Sequence, residues 1–226
     1  MGRCSFCVRW SYGGILCPNC AGALEAWKKE FRVCLLCGRL MSKDISLELC
    51  PRCLEEKPPF RLARAVGPYR GLLKDVILEF KYKGRRSLYK PLGYLLAQVV
   101  AAEPLFGKPH VIIPVPLARE RLKQRAFNQA ELLAREVGRL LGLKVVEHIL
   151  LKERDTTPQA GLSRKERWAN LKDIFTLEAP SLIKGQDVLL VDDVLTTGAT
   201  ATACTIVLLQ AGARSVSVAT LATGVF

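Results

Sequence analysis

The sequence predicts an α/β fold, a parallel sheet flanked by helices, preceded by a small cysteine-rich head. Three observations predict it. From Leu62 onward, apolar runs of strand length alternate with segments of helical periodicity. The most apolar run, Asp187–Val191, leads into two acids and then a turn of small and hydroxylated residues. Eight of the nine cysteines lie in the first 53 residues, in four Cys-x-x-Cys pairs.

Taken in chain order, the head closes at Pro58-Pro59, which act as a short stiff linker. The expected domains are therefore residues 1–57 and 62–226. Ala63–Tyr69 reads as a strand. Leu72–Tyr82 carries Leu72, Leu73, Val76, Ile77 and Phe80 at helical spacing, and Pro91–Ala102 is a second helix with Pro104 beyond its end. Val111–Ile113, flanked by Pro109, Pro114 and Pro116, has the pattern of a buried strand ending in a rigid loop. Asn128–Leu141 is an amphipathic helix stopped by Gly142, and Lys144–Leu151 a further strand. Lys152–Asn170 is polar and turn-rich and reads as a long mobile loop. The strand Asp187–Val191, the helix Ala199–Gln210 and the strand Ser215–Leu221 complete the chain. Strand-helix-strand order implies right-handed crossovers and a sheet covered on both faces, with ligands at the carboxyl ends of its strands.

At 226 residues the chain can bury a sizeable core. No apolar run approaches the roughly 18 uncharged residues needed to span a bilayer. Cys4, Cys7 and Trp10 occupy the place where an export signal needs an apolar stretch, so the expected compartment is the cytoplasm. The net charge of +13 is unevenly spread: nine Lys/Arg against six Asp/Glu in residues 1–60, twenty-five against fifteen thereafter. Lys81, Lys83, Arg85, Arg86 and Lys90 form one basic cluster, and Arg119, Arg121, Lys123 and Arg125 another. Each fits a solvated basic surface, a polyanionic small ligand or a nucleic acid, and charge alone does not separate these readings.

The chemistry concentrates in Val188-Leu-Leu-Val-Asp192-Asp193-Val-Leu-Thr196-Thr197-Gly198-Ala199-Thr200. The turn sets backbone N–H groups and hydroxyls at a helix start, where the partial positive charge favours a phosphate. Gly198 permits a turn that a side chain hinders. Asp192 and Asp193 are acceptors suited to the paired 2′- and 3′-hydroxyls of a ribose. A threonine N-cap and an aspartate turn former account for any two of these residues, but not for the set. The chain has neither G-x-x-x-x-G-K-[ST] nor G-x-G-x-x-G.

This segment resembles the phosphoribosyl pyrophosphate (PRPP) motif of the type I phosphoribosyltransferases. The resemblance implies that Asp192 and Asp193 hold the ribose hydroxyls and that Thr196, Thr197, Gly198, Ala199 and Thr200 hold the 5′-phosphate, with Mg²⁺ accompanying PRPP. It also implies a pyrophosphate loop, which Pro114–Arg125 would supply with Arg119, Arg121 and Arg125 as guanidinium clamps. A closing lid is implied as well, and Lys152–Asn170 would supply it through Arg154, Gln159, Ser163 and Arg167, excluding water from a reactive ribosyl cation. No general base announces itself, and His110 and His148 are left unassigned. The catalytic residue is unknown.

Cys4-x-x-Cys7, Cys17-x-x-Cys20, Cys34-x-x-Cys37 and Cys50-x-x-Cys53 have the spacing of zinc knuckles, nine residues separating the first two and twelve the last two. Eight thiolates suit two structural Zn²⁺ sites, grouped in sequence as 4/7/17/20 and 34/37/50/53. Cross-braced grouping and iron–sulfur ligation are the alternatives. Cys204, alone on an apolar helix, reads as core.

The four knuckles, the proline linker, Phe80-Lys-Tyr82-Lys-Gly84, the Arg154…Asn170 loop and the PRPP motif together resemble the ComF competence-protein family over essentially the whole chain. That resemblance implies a link to natural DNA uptake, with other competence proteins as partners. Three functions compete. The first is a transferase using PRPP and Mg²⁺ on an unidentified acceptor. The second is an accessory holding single-stranded DNA through Lys81, Lys83, Arg85 and Arg86, with stacking on Trp10, Trp27, Tyr12 or Phe6. The third is a PRPP-sensing regulator. Ala63–Gly84 is the expected hood over the acceptor, and nothing in it names one.

Overall fold

A computed structural model describes residues 2–11, 15–152 and 174–225. The head consists of two modules of one design, a two-stranded hairpin followed by a short helix. The first contains β1 (Gly2–Arg3), β2 (Trp10–Ser11) and α1 (Pro18–Glu25); the second contains β3 (Phe31–Val33), β4 (Leu40–Ser42) and α2 (Pro51–Glu55). Each helix starts with proline right after a knuckle cysteine, where a missing N–H is harmless and φ is already helical.

The body follows as β5 (Ala63–Pro68), α3 (Gly71–Tyr82), α4 (Tyr89–Ala102), β6 (Val111–Pro114), α5 (Arg119–Arg125), α6 (Gln129–Leu141), β7 (Lys144–Val145), β8 (Leu150–Lys152), β9 (Phe175–Leu177), β10 (Asp187–Leu195), α7 (Ala199–Gln210) and β11 (Ser215–Thr223). Five strands form a parallel sheet in the order β5–β11–β10–β6–β7. Alternation along β10 sends Leu189 and Val191 to a cluster with α3, α4 and α6, and Val188 and Leu190 to a second cluster with α7. The expected sheet covered on both faces is thus present. Cys204 is fully buried in α7.

Helix α6 shows how locally the fold is specified. Asn128 caps it by accepting from the Ala130 N–H at 3.0 Å, and Ala130, Leu133, Ala134 and Val137 bury one stripe. Gly142 ends it in the left-handed region. Helix α4 starts at Tyr89, two residues before the expected Pro91, so that the proline falls within its first turn.

Three expectations need correction. Lys144–Leu151 is not one strand. His148 adopts φ +60°, which breaks the extended run, so β7 stays in the main sheet while β8 pairs antiparallel with β9. Arg119–Arg125 is helical rather than a loop, and is closed by Ala126 in the left-handed region. Strand β10 does not end at Val191 but runs nine residues to Leu195, because β11 continues the ladder beside it through Asp192–Thr220 and Leu195–Thr223. The acids therefore lie within a strand. The proposed lid residues Arg154, Gln159, Ser163 and Arg167 lie outside the described residues. Among the described residues, no helix is long and apolar enough to cross a membrane.

Candidate functional site

Asp192 and Asp193 stand near the carboxyl end of the central strand. Thr196 to Gly198 then turn the chain, and Ala199 and Thr200 open α7. Gly198 has φ +79°, and a Cβ there would meet no neighbour, so backbone conformation rather than space selects glycine. The Ala199 N–H donates to Thr197 Oγ1 at 3.3 Å, tightening the turn that presents the helix start. The loop after β6 lies alongside: Val115 N–H donates to Val191 O at 2.9 Å, and Asn128 Nδ2 donates to Val115 O at 3.0 Å. The acid pair, the phosphate-type turn and the front of the Arg-rich segment therefore share one edge of the sheet.

The two acids differ. Burial first, and then the neighbouring Asp193 charge, push the Asp192 carboxyl up to about 7. The Asp193 N–H, donating to Asp192 Oδ1 at 2.7 Å, and the cations Lys81 and Lys152 oppose that rise. Asp193 Oδ1 pairs with Lys81 Nζ at 2.8 Å, with both side chains largely shielded from solvent.

Among the basic residues Lys81, Lys83, Arg85 and Arg86, that pair sets Lys81 apart from a solvated surface. Lys81 points inward to the acids. Arg85 pairs with Glu79 at 2.5 Å and donates to Ser5 O at 2.9 Å, tying α3 to the first module. Lys83 sits 3.8 Å from Glu79, and Arg86 stacks over Phe127. Of the three arginines expected as clamps, Arg119 opens α5 and Arg121 is exposed on it. Arg125 donates to Tyr82 Oη at 2.7 Å and to Gln129 Oε1 at 3.1 Å, and its guanidinium lies over the Tyr82 ring. It thereby links α5 to α3. Lys152 was legible only as the start of a loop, and sequence spacing gave no signal of its field at Asp192.

The cysteines gather in sequence order. The sulfurs of Cys4, Cys7, Cys17 and Cys20 lie within 4.8 Å of one another, as do those of Cys34, Cys37, Cys50 and Cys53. Zinc at about 2.3 Å from four thiolates sets neighbouring sulfurs roughly 3.8 Å apart. The Cys7–Cys17 and Cys37–Cys50 separations of 3.6 Å fit that tetrahedron. Four thiols so close cannot all ionise unaided. A hydrogen bond with Cys37 is the main cause that draws Cys34 down to about 4, while the same contact and burial push Cys37 up.

The modules also reach the site, a contact that no sequence motif announced. Arg39, two residues after Cys37, donates to Thr196 O, and Arg52, between Cys50 and Cys53, donates to Thr197 O at 2.5 Å. The second module is seated by Ala63 N–H on Leu36 O at 2.7 Å and Leu40 N–H on Gly224 O at 3.3 Å. Gly38 makes that approach feasible. It has φ +68°, and a Cβ there would lie 2.3 Å from Ala63 O.

Residues 93–224 match the phosphoribosyl transferase domain. The chain is 34% identical to DNA utilization protein YhgH of Salmonella typhimurium, over 96% of this chain and 95% of that one. It is 32% identical to Competence protein F of Haemophilus influenzae, over 90% and 88% of the respective chains. A solved glutamine PRPP amidotransferase from B. subtilis aligns with a TM-score of 0.45 at 23% identity, over 63% of this chain and 30% of that chain.

Proposed function

The chain belongs to the ComF competence-protein family and carries its phosphoribosyl transferase domain, and from that membership we propose that it binds PRPP with Mg²⁺ and transfers the phosphoribosyl group to an acceptor. The observation that carries the reading is the placement of Asp192 and Asp193 on the central strand, separated by two residues from the Thr196–Thr200 turn that opens α7. Asp192 and Asp193 accept from the ribose 2′- and 3′-hydroxyls. The turn's N–H groups and the hydroxyls of Thr196, Thr197 and Thr200 hold the 5′-phosphate.

In the reaction, the acceptor's lone pair forms a bond to the anomeric carbon. The bond from that carbon to the pyrophosphate oxygen breaks, and its electron pair leaves with pyrophosphate. Positive charge develops on the ribose ring, and the largely shielded carboxylates of Asp192 and Asp193 would stabilise that charge. Both carboxylates are hard oxygen donors of the kind Mg²⁺ takes beside phosphate oxygens, and Mg²⁺ bound there supplies charge neutralisation on the leaving group. Zn²⁺ in the two thiol clusters supplies folding energy to modules too small for a core of their own.

The relatives named for DNA utilization and for competence support a role in DNA use. Single-stranded DNA as a direct ligand finds less support at the basic cluster, where Lys81 and Arg85 make internal pairs. Calorimetric titration of the zinc-loaded protein with PRPP and Mg²⁺ tests the proposal. Binding that disappears in Asp192→Asn/Asp193→Asn, followed by pyrophosphate release with an acceptor, is the expected result. No heat with the wild-type chain would sink the PRPP reading and leave the DNA accessory in front.

A further inference from the structure

We propose that the second cysteine module aims the phosphate loop, and that Arg39 and Arg52 are its positioning residues. The inference rests on the reading of Thr196–Thr200 as the 5′-phosphate site. Its starting point is that two guanidinium groups from one module bind two successive carbonyls, Thr196 O and Thr197 O, in the turn between β10 and α7.

A trans peptide is planar, so its C=O and N–H point in opposite directions. Among the described residues every peptide bond is trans. Fixing Thr196 O on Arg39 therefore turns the Thr197 N–H away from the module. Fixing Thr197 O on Arg52 does the same for the Gly198 N–H. Both N–H groups belong to the turn that would hold the phosphate. The turn's other hydrogen bonds, Ala199 N–H to Thr197 Oγ1 and Thr202 N–H to Gly198 O, leave the Thr196 and Thr197 carbonyls to the two guanidinium groups. If either peptide rotated, it would present a carbonyl oxygen, the negative end of its dipole, to an anion. The arginines thus hold two donors outward and cover two acceptors. They also add positive charge behind the loop.

The second module is built to hold this geometry. Arg39 lies between two backbone anchors, Leu36 O to Ala63 N–H and Leu40 N–H to Gly224 O. Arg52 projects from the first turn of α2, between two thiols of the Cys34, Cys37, Cys50 and Cys53 cluster. Both arginines therefore flank the same four-sulfur cluster, and a metal ion bound by Cys34, Cys37, Cys50 and Cys53 would fix them relative to each other. The cleft between the module and the turn has Arg39, Arg52, Glu56, Lys57, Thr197 and Gly198 among its lining residues.

The test uses the full-length, zinc-loaded chain and its Arg39→Met/Arg52→Met and Arg39→Lys/Arg52→Lys variants. Each is titrated with PRPP and Mg²⁺ and, separately, with ribose 5-phosphate, which isolates the 5′-phosphate contact. Zinc content and backbone amide resonances are recorded alongside. We expect the methionine variant to keep two zinc ions and to lose about tenfold or more in affinity for both compounds, or about 1.4 kcal/mol. The Thr197 and Gly198 amide resonances shift, and the lysine variant recovers part of the affinity. Wild-type affinity and unmoved amide resonances in the methionine variant overturn the inference, as does a loss confined to PRPP. A variant that loses zinc is replaced by the lysine pair, where an unchanged affinity for ribose 5-phosphate together with unmoved amides overturns it equally. A wild-type chain that binds neither compound overturns the PRPP reading itself, and the aiming role falls with it.

Discussion

The two cysteine modules share one architecture and face different walls of the same site. The first leans on β5 and the loop after α3: Arg85 reaches back to Ser5 O, and Trp27 lies against Gly67 at the end of β5. Helix α3 in turn delivers Lys81 to Asp193. The second leans on the sheet's carboxyl end and grips the phosphate-type turn directly through Arg39 and Arg52. Its thiols are also the more deeply buried, with Cys34 and Cys50 fully enclosed, and they pack in one cluster with α7 and β10. The lesson is that a repeated metal-binding unit need not have a repeated job. What each module does is decided by the few residues that flank its knuckles.

The largest effects should come from breaking one module at a time. Cys53→Ser and Cys7→Ser should each lower zinc content from two ions per chain to one, because a structural site missing one of four thiolates loses much of the roughly 10–16 kcal/mol that binding contributes. Metal analysis checks that outcome. PRPP affinity then separates the modules, falling about tenfold or more for Cys53→Ser and by less for Cys7→Ser. Equal losses would erase the distinction drawn between the walls.

Next in size is the seating of each module. Gly38→Ala forces a left-handed backbone on alanine and drives its Cβ into the backbone oxygen of Ala63 at 2.3 Å. Backbone cannot step aside, so we expect about 2–4 kcal/mol of destabilisation by denaturant unfolding. Gly67→Ala brings its Cβ to 2.9 Å from Trp27 Nε1, on a side chain only partly buried that can swing outward. There the expected loss is about 1 kcal/mol. The reverse order would mean that the first module is the one held rigidly.

How much of this could be read from the sequence depended on whether the signal was local. The α6 stripe, its Asn128 cap and Gly142 stop, the alternation in β10 and the knuckle grouping all arise within short windows, and each is legible. The departures come from tertiary partners. β10 runs on past Val191 because β11 pairs with it, and no local propensity announces that. His148 breaks the extended run of Lys144–Leu151 through a single backbone angle. Lys81 looked like part of an exposed basic run because its partner, Asp193, is 112 positions away in sequence. Arg39 and Arg52 lie 157 and 145 positions from the carbonyls they hold. Charge patterning along the chain could count these cations but could not tell which of them point inward.

The contribution of α3 is sharpened by Lys81→Met. Removing one partner of a largely shielded ion pair leaves Asp193 uncompensated beside Asp192, at a cost of about 1–3 kcal/mol. The same change deletes a cation that holds Asp192 down, so the Asp192 carboxyl should titrate above its present value of about 7. Carboxyl carbon resonances followed against pH read this directly. A midpoint that stays in place would show that Lys81 does not act on the pair.

The smallest effect belongs to the other end of the same strand and serves as the control. Asp187 opens β10, where hydrogen bonding from Arg214 is the main cause that draws its carboxyl down to about 2, assisted by Ser215. Its folded value lies below the ordinary carboxylate value of 3.8, so the stability it contributes is complete above that pH and is lost as pH falls through about 2. Arg214→Met should therefore lower the melting temperature slightly at pH 7, with the difference from wild type closing between pH 4 and pH 2. The pair is solvent-exposed on the arginine side, so the change stays small. PRPP affinity should not move, because Arg214 and Asp187 sit at the amino end of β10 while Asp192 to Thr200 occupy its carboxyl end and the turn beyond. A drop in affinity as large as that from Cys53→Ser would mean that general loosening of the sheet, rather than either module, sets the site. The contrast between the two cysteine modules would then lose its meaning.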